Sequence, residues 1–186
     1  MFADDYSKIT CKIPEMLCLK QNYFGELGVF VTKDFKKGDF IYRNKCVIAE
    51  RNRLPQTIVL ETESGNYNLD RDRHTCNYMD KVMLYTYDSF MNHHCDPNSD
   101  SVSDKDNIEY YDTYAKRDIS AGEELNCNYL LFYFTSQDPF DCQCGSKLCF
   151  GKINGFENLP REHQLLLKND IHNFFYECHD LSFLNK

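Results

Sequence analysis

Three cysteines in the segment Asp141-Cys142-Gln143-Cys144-Gly145-Ser146-Lys147-Leu148-Cys149 follow the spacing C-x-C-x4-C, with a Gly-Ser turn that lets neighbouring thiolates converge on one ion. Structural Zn²⁺ takes four ligands tetrahedrally, with sulfur at about 2.3 Å, so three local cysteines need a fourth ligand from elsewhere. Cys11, Cys18, Cys46, Cys76, Cys95, Cys127, Cys178 and the six histidines are the candidates, and spacing does not choose among them. Cys46, Cys76 and Cys178 stand in settings that read as plain buried thiols, because a free cysteine packs as a small apolar residue.

Two further segments carry groups suited to binding and transfer chemistry. These are Asn92-His93-His94-Cys95-Asp96-Pro97-Asn98 and Gly122-Glu123-Glu124-Leu125-Asn126-Cys127-Asn128-Tyr129. Asn92 offers donors and acceptors to an amino-acid or adenine group. In Gly25-Glu26-Leu27-Gly28-Val29-Phe30, glycine lets the backbone approach a ligand with no side chain between. Tyr129 is one of 13 tyrosines, and only its position in the motif sets it apart from those that pack a core. The aromatic run 130–134, with Phe140, suits either a channel lining or a core, and Phe140 ranks first as a cover for a ligand.

In this order and at these spacings the segments resemble the SET-domain lysine methyltransferases. That family's signature reads N-H-S-C-x-P-N, then G-E-E-L followed by a tyrosine, then a post-SET C-x-C-x4-C. The resemblance covers roughly residues 17–156. It implies a mainly β (α+β) SET-domain fold of several small sheets with a pseudoknot, a zinc-binding post-SET clip and a C-terminal helix. It also implies a layout of N-terminal extension 1–16, SET domain 17–135, post-SET zinc segment 136–156 and helical brace 157–186. By the same resemblance Cys95 joins Cys142, Cys144 and Cys149 around one structural Zn²⁺. The same resemblance implies that Leu27, Gly28, Val29, Asn92, His93, Tyr129 and Phe140 contact S-adenosylmethionine and that Tyr129 is catalytic. Four departures stand out: Glu26 where the family's first glycine usually lies, His94 for serine, Cys127 where Phe or Tyr commonly sets the number of methyl groups, and Ser89 for arginine.

The elements that must position these groups are mostly strands. Residues 28–31 and 40–42 are apolar and flank the turn-like Lys36-Lys37-Gly38-Asp39, which predicts strands joined by a hairpin. Residues 56–63 and 108–115, rich in β-branched and aromatic side chains, predict two more. A short helix is expected within 78–90. Beyond Pro160 a longer one is expected, with Leu165, Leu166, Ile171, Phe174 and Phe175 on one face, docked as a brace or, alternatively, presented to a partner.

Composition bounds the function. A chain of 186 residues with 42% hydrophobic content suffices for one core. A formal charge of -8, from 21 Lys+Arg against 29 Asp+Glu, argues against direct nucleic-acid binding and favours a basic partner. The acidic clusters read equally as a solvated surface. The absence of a leader pattern or a long apolar run predicts a soluble, intracellular protein with no membrane contact, in which ten cysteines are metal ligands or thiols rather than disulfides. The resemblance adds a lysine-containing protein substrate, a histone being favoured, and a nuclear or chromatin-associated setting. The competing readings are a SET-fold binding module with weak turnover and a zinc-stabilised adaptor.

Overall fold

Apolar strand segments too short to bury a face alone assemble here into five small sheets, described by a computed structural model for residues 6–104, 107–136, 138–171 and 173–185. The sheet that positions the motifs has four strands in the order Asn92–His93, Glu124–Cys127, Leu27–Val31 and Leu17–Gln21. Its first pair runs parallel, with Asn92 opposite Asn126 and His93 opposite Cys127, and the others run antiparallel. Val29, Val31 and Leu125 are fully or almost fully buried here. At about 2 kcal/mol for each side chain removed from water, they anchor the sheet.

Phe40–Lys45 belongs to a second sheet, on Tyr110–Ala115, which in turn pairs with Ser99–Ser103. In Tyr110–Ala115, Tyr111, Thr113 and Ala115 alternate inward, the period-two pattern of a half-buried strand. The hairpin expected between residues 28–31 and 40–42 is therefore corrected. Both strands form, but Gly38, at φ +89°, turns the chain from one sheet into another, and the true hairpin partner of Leu27–Val31 is Leu17–Gln21. Thr57–Thr62 and Gly65–Asp70 form a hairpin with Lys8–Thr10 parallel at its edge.

The short helix expected within 78–90 forms only at the end of that stretch, as the 3-10 helix Thr86–Phe90, and the residues before it are strand. Thr75–Tyr78 and Lys81–Leu84 form a hairpin on Val47–Ala49, closed through Met79 at φ 53°, and a 3-10 turn Thr86–Phe90 follows. Val82, Met83 and Leu84 are all buried, and a short apolar run covered on both faces carries no helical period.

The expected C-terminal helix is two short ones, α1 (Arg161–Leu167) and α2 (Asn173–Cys178). Pro160 caps α1, consistent with its fixed φ. The inward face differs from expectation: Leu165 and Leu166 are 40% and 59% exposed, whereas Gln164, Leu167, Ile171 and Phe175 are buried. Gln164 takes the inner place because its Nε2 donates to the carbonyls of Phe156 at 3.1 Å and Glu157 at 3.3 Å, which satisfies a buried amide. The side chain of Phe174 lies outside the described ones. Gly155, at φ +83°, lets this segment close on the aromatic run: a Cβ there would lie 2.5 Å from the Phe134 carbonyl oxygen, and Phe156 N donates to Tyr133 O at 2.9 Å. No helix among the described residues is long and apolar enough to cross a membrane.

Candidate functional site

The parallel pairing of Asn92–His93 with Glu124–Cys127 brings the two motif segments side by side, and asparagines lock the register. Asn98 N donates to Asn126 Oδ1 and Asn126 N to Asn98 Oδ1, both at 2.9 Å, and Asn98 Nδ2 donates to Glu124 O at 2.9 Å. Asn128 Oδ1 then accepts from Leu130 N at 3.1 Å, starting the 3-10 turn Tyr129–Leu131 that aims the tyrosine. Asx capping of this kind is what short polar side chains do at turns.

Leu27, Asn92, Tyr129 and Phe140 wall one cavity of about 290 Å³, together with Glu26, Arg73, His74, Ser89 and Tyr133. Asn92 Nδ2 donates to Leu27 O at 3.2 Å and to Glu124 Oε1 at 2.7 Å, so the cavity floor ties three strands together. Gly28 and Val29 are not among the lining residues, and Val29 is fully buried behind them. Gly28 lies against the Glu124 carboxylate: a Cβ there would meet Glu124 Oε1 at 2.3 Å and Asn92 Nδ2 at 3.2 Å, so those side chains would have to shift. Glu26 closes a turn in which Gly25 takes φ +80° and Asn22 Oδ1 accepts from the amides of Phe24 and Glu26 at 3.0 and 3.1 Å.

Tyr129 Oη donates to the Met91 carbonyl at 2.9 Å, which fixes the hydroxyl hydrogen and leaves the oxygen as an acceptor. Burial raises its pKa well above the usual phenol value, so it stays protonated. Tyr129 also walls a second, narrower cavity of about 60 Å³, shared with Tyr85, Asp88, Met91, Tyr111, Cys127 and Phe132. The two cavities thus meet at Tyr129.

His93 lies outside both linings. Its ring packs against Tyr129 and Phe140, with centroids 5.3 and 5.8 Å apart, its Nδ1 accepts from Tyr129 N at 3.1 Å, and its Nε2 stands 3.2 Å from Cys95 Sγ. Beyond it the four sulfurs of Cys95, Cys142, Cys144 and Cys149 all lie within 4.8 Å of one another, with Cys95 and Cys142 3.7 Å apart. Four bonds of about 2.3 Å at tetrahedral angles put the sulfurs about 3.8 Å from each other, so the donor set fits one Zn²⁺. Burial raises the thiols of Cys95 and Cys142. At half-exposed Cys144 the partial desolvation also raises the thiol, but amide hydrogen bonds and those from its neighbouring thiols outweigh that and bring it down to about 6. The Phe150 amide also donates to Cys95 Sγ at 3.3 Å, stabilising the thiolate.

Sequence reasoning did not single out Arg73, His74 or Asp88. The first two arrive from a loop between sheets and carry no motif. Asp88 left one signal, an acid between Tyr87 and Ser89 in a stretch, 82–91, that holds no other charged residue.

Comparison with known proteins identifies the family of the chain. The chain is 29% identical over 170 residues to a variant-silencing SET domain-containing protein of Plasmodium falciparum, covering 83% of this chain and 6% of that protein. It is 29% identical over 150 residues to the human histone-lysine N-methyltransferase described as H3 lysine-36 specific, covering 72% and 5%. It is 27% identical over 142 residues to the Arabidopsis thaliana histone-lysine N-methyltransferase ATX2, covering 73% and 13%. The chain thus spans a small part of the length of each of these relatives. Residues 26–130, more than half of the chain, match the family model for the SET domain, and the chain belongs to the SET domain family.

Proposed function

We propose that this chain is an S-adenosylmethionine-dependent protein-lysine N-methyltransferase acting on a basic, lysine-containing segment such as a histone tail. The observation that carries the reading is the meeting of two cavities at Tyr129: a wide one walled by Leu27, Asn92 and Phe140, and a narrow one walled by aromatic side chains. The first suits a nucleoside-sized ligand in volume and in its few convergent polar groups, with Arg73 able to meet a carboxylate. The second suits an extended aliphatic chain.

In this reading S-adenosylmethionine is held by Leu27, Asn92, Tyr129 and Phe140, with Gly28, Val29 and His93 shaping the wall, and when bound it supplies a sulfonium methyl group to an amine. The chain's residues align the amine and keep water away. A substrate lysine must arrive neutral, which from a pKa near 10.4 costs roughly 4 kcal/mol at physiological pH. The aromatic side chains of the channel, taken by themselves, offset part of this by disfavouring the charged form. Tyr129 Oη, its hydrogen committed to Met91 O, presents lone pairs that orient the amine through its remaining N–H. Cys95, Cys142, Cys144 and Cys149 hold one Zn²⁺ that fastens the Phe140 segment over the cavity, a structural task. The net charge of -8 favours a cationic substrate. The working place that follows is the nucleus, at chromatin.

Incubation with labelled S-adenosylmethionine and a panel of core histones and histone-tail peptides tests this, with Tyr129→Phe as control. Labelling by the native chain well above the control supports the reading, and equal labelling overturns it.

A further inference from the structure

The narrow cavity behind Tyr129 has an acidic wall for which methyl transfer, as described so far, has no use. Asp88 lines it from the 3-10 turn Thr86–Phe90. Its Oδ2 accepts from the hydroxyls of Tyr111 at 2.5 Å and Tyr42 at 3.0 Å, while its Oδ1 is sealed from water and has no partner. None of the ion pairs among the described residues includes it. A carboxylate with two donors on one oxygen and none on the other is under-solvated and therefore a strong proton acceptor. Tyr111 also lines the cavity, and its oxygen accepts from Asn44 Nδ2 at 3.0 Å, which leaves one lone pair for an incoming donor.

We propose that Asp88 is the proton acceptor of the lysine channel, the substrate's ε-ammonium donating to the Tyr111 oxygen as the Tyr111 hydroxyl proton moves to Asp88 Oδ2. This rests on the methyltransferase reading above. One N–H bond breaks as an O–H forms on Tyr111, and the original Tyr111 O–H breaks as one forms on Oδ2. The nitrogen keeps the electron pair it needs for attack, and the ion pair becomes amine and carboxylic acid. The proton returns to water after the product leaves. Burial lifts the Asp88 carboxyl to about 7 against the pull of the Tyr111, Tyr42 and Asn44 side chains, so both forms are available near neutrality. The titratable groups around it, Tyr42, Tyr87, Tyr111, Cys11 and Cys127, are all raised by burial and stay neutral there. Burial lowers His74, and Arg73, which shares the cavity lining, pairs with Asp138 at 3.1 Å.

The test uses Asp88→Asn, which keeps shape and removes charge, with the histone peptide that the native chain labels and the same peptide carrying norleucine for its target lysine. The native chain is expected to bind the lysine peptide about ten-fold more tightly than the norleucine one, and Asp88→Asn to lose that preference. Its single-turnover rate is expected to rise with pH and level near 7, whereas Asp88→Asn is about 100-fold slower at neutral pH and shows no levelling there. Tyr111→Phe should keep the binding preference and lose the rate. Unchanged preference and pH profile in Asp88→Asn overturn this proposal alone, and a native chain that labels no peptide overturns the methyltransferase reading and this one with it. Should the variant fail to fold, a native pH profile with no break near 7 overturns the proposal by itself.

Discussion

Nε2 of His93 stands 3.2 Å from Sγ of Cys95, which joins the four-cysteine cluster to the wall of the larger cavity. Because Nδ1 accepts from the Tyr129 amide, the ring proton sits on Nε2 and is donated to sulfur. Burial, and then the nearby His94, push this imidazole down to about 4, so it is neutral at physiological pH and the tautomer is fixed by its two partners.

Metal removal should therefore be felt at both places. Plasma emission spectrometry is expected to find one zinc per chain and none in Cys144→Ser. Chelation should lower the melting temperature and abolish the further rise caused by S-adenosylmethionine, since metal binding contributes folding free energy directly. Full zinc content in Cys144→Ser would refute the ligand set.

Tyr129→Phe removes the hydroxyl that bonds Met91 O but keeps the ring packed on His93 and Phe140. Stability should fall by about 1 kcal/mol, the cost of one lost hydrogen bond. Methyl transfer in a single-turnover assay should fall by about 100-fold or more, with cofactor affinity by calorimetry little changed.

Gly28→Ala tests whether the cavity floor tolerates a methyl group. The added Cβ, 2.3 Å from Glu124 Oε1, displaces that carboxylate and with it the Asn92 side chain that it holds. The expected outcome is a loss of about 1–3 kcal/mol in denaturant unfolding, typical of overpacking, and weaker cofactor binding by calorimetry. Native-like values on both measurements would show that Glu124 moves freely.

Asp88 also predicts a pH dependence of stability. Its carboxyl is raised from 3.8 to about 7, so the folded chain holds the proton more tightly than the unfolded one. Its contribution is complete below pH 3.8 and is lost as pH rises through about 7, a change of up to about 4 kcal/mol at about 1.36 kcal/mol per unit. Urea unfolding between pH 4 and 8 should show this decline in the native chain, and a shallower one in Asp88→Asn. Parallel curves would place the carboxyl in water.

Motifs whose chemistry is local were legible in the chain itself: the triple thiol around its Gly-Ser turn, the paired asparagine segments, and the order in which they occur. Period-two patterns such as Tyr110–Ala115 were legible for the same reason, since alternation needs only a strand with one covered face. The strand Lys81–Leu84 was not, because a run buried on both faces looks alike in helix and strand until a partner is known. Nor was the inward turn of Gln164 in place of Leu165 and Leu166, which depends on two carbonyls presented by the preceding turn.

Tertiary structure alone decided that Gly28 lies against the side chains of Glu124 and Asn92, and that Asp88, Arg73 and His74 face the cavities beside Tyr129. Residue types and short spacings determine which chemistry a segment is able to perform. Which distant groups share a space too small for water, and so have their proton affinities and roles reset by one another, is settled only when the sheets close.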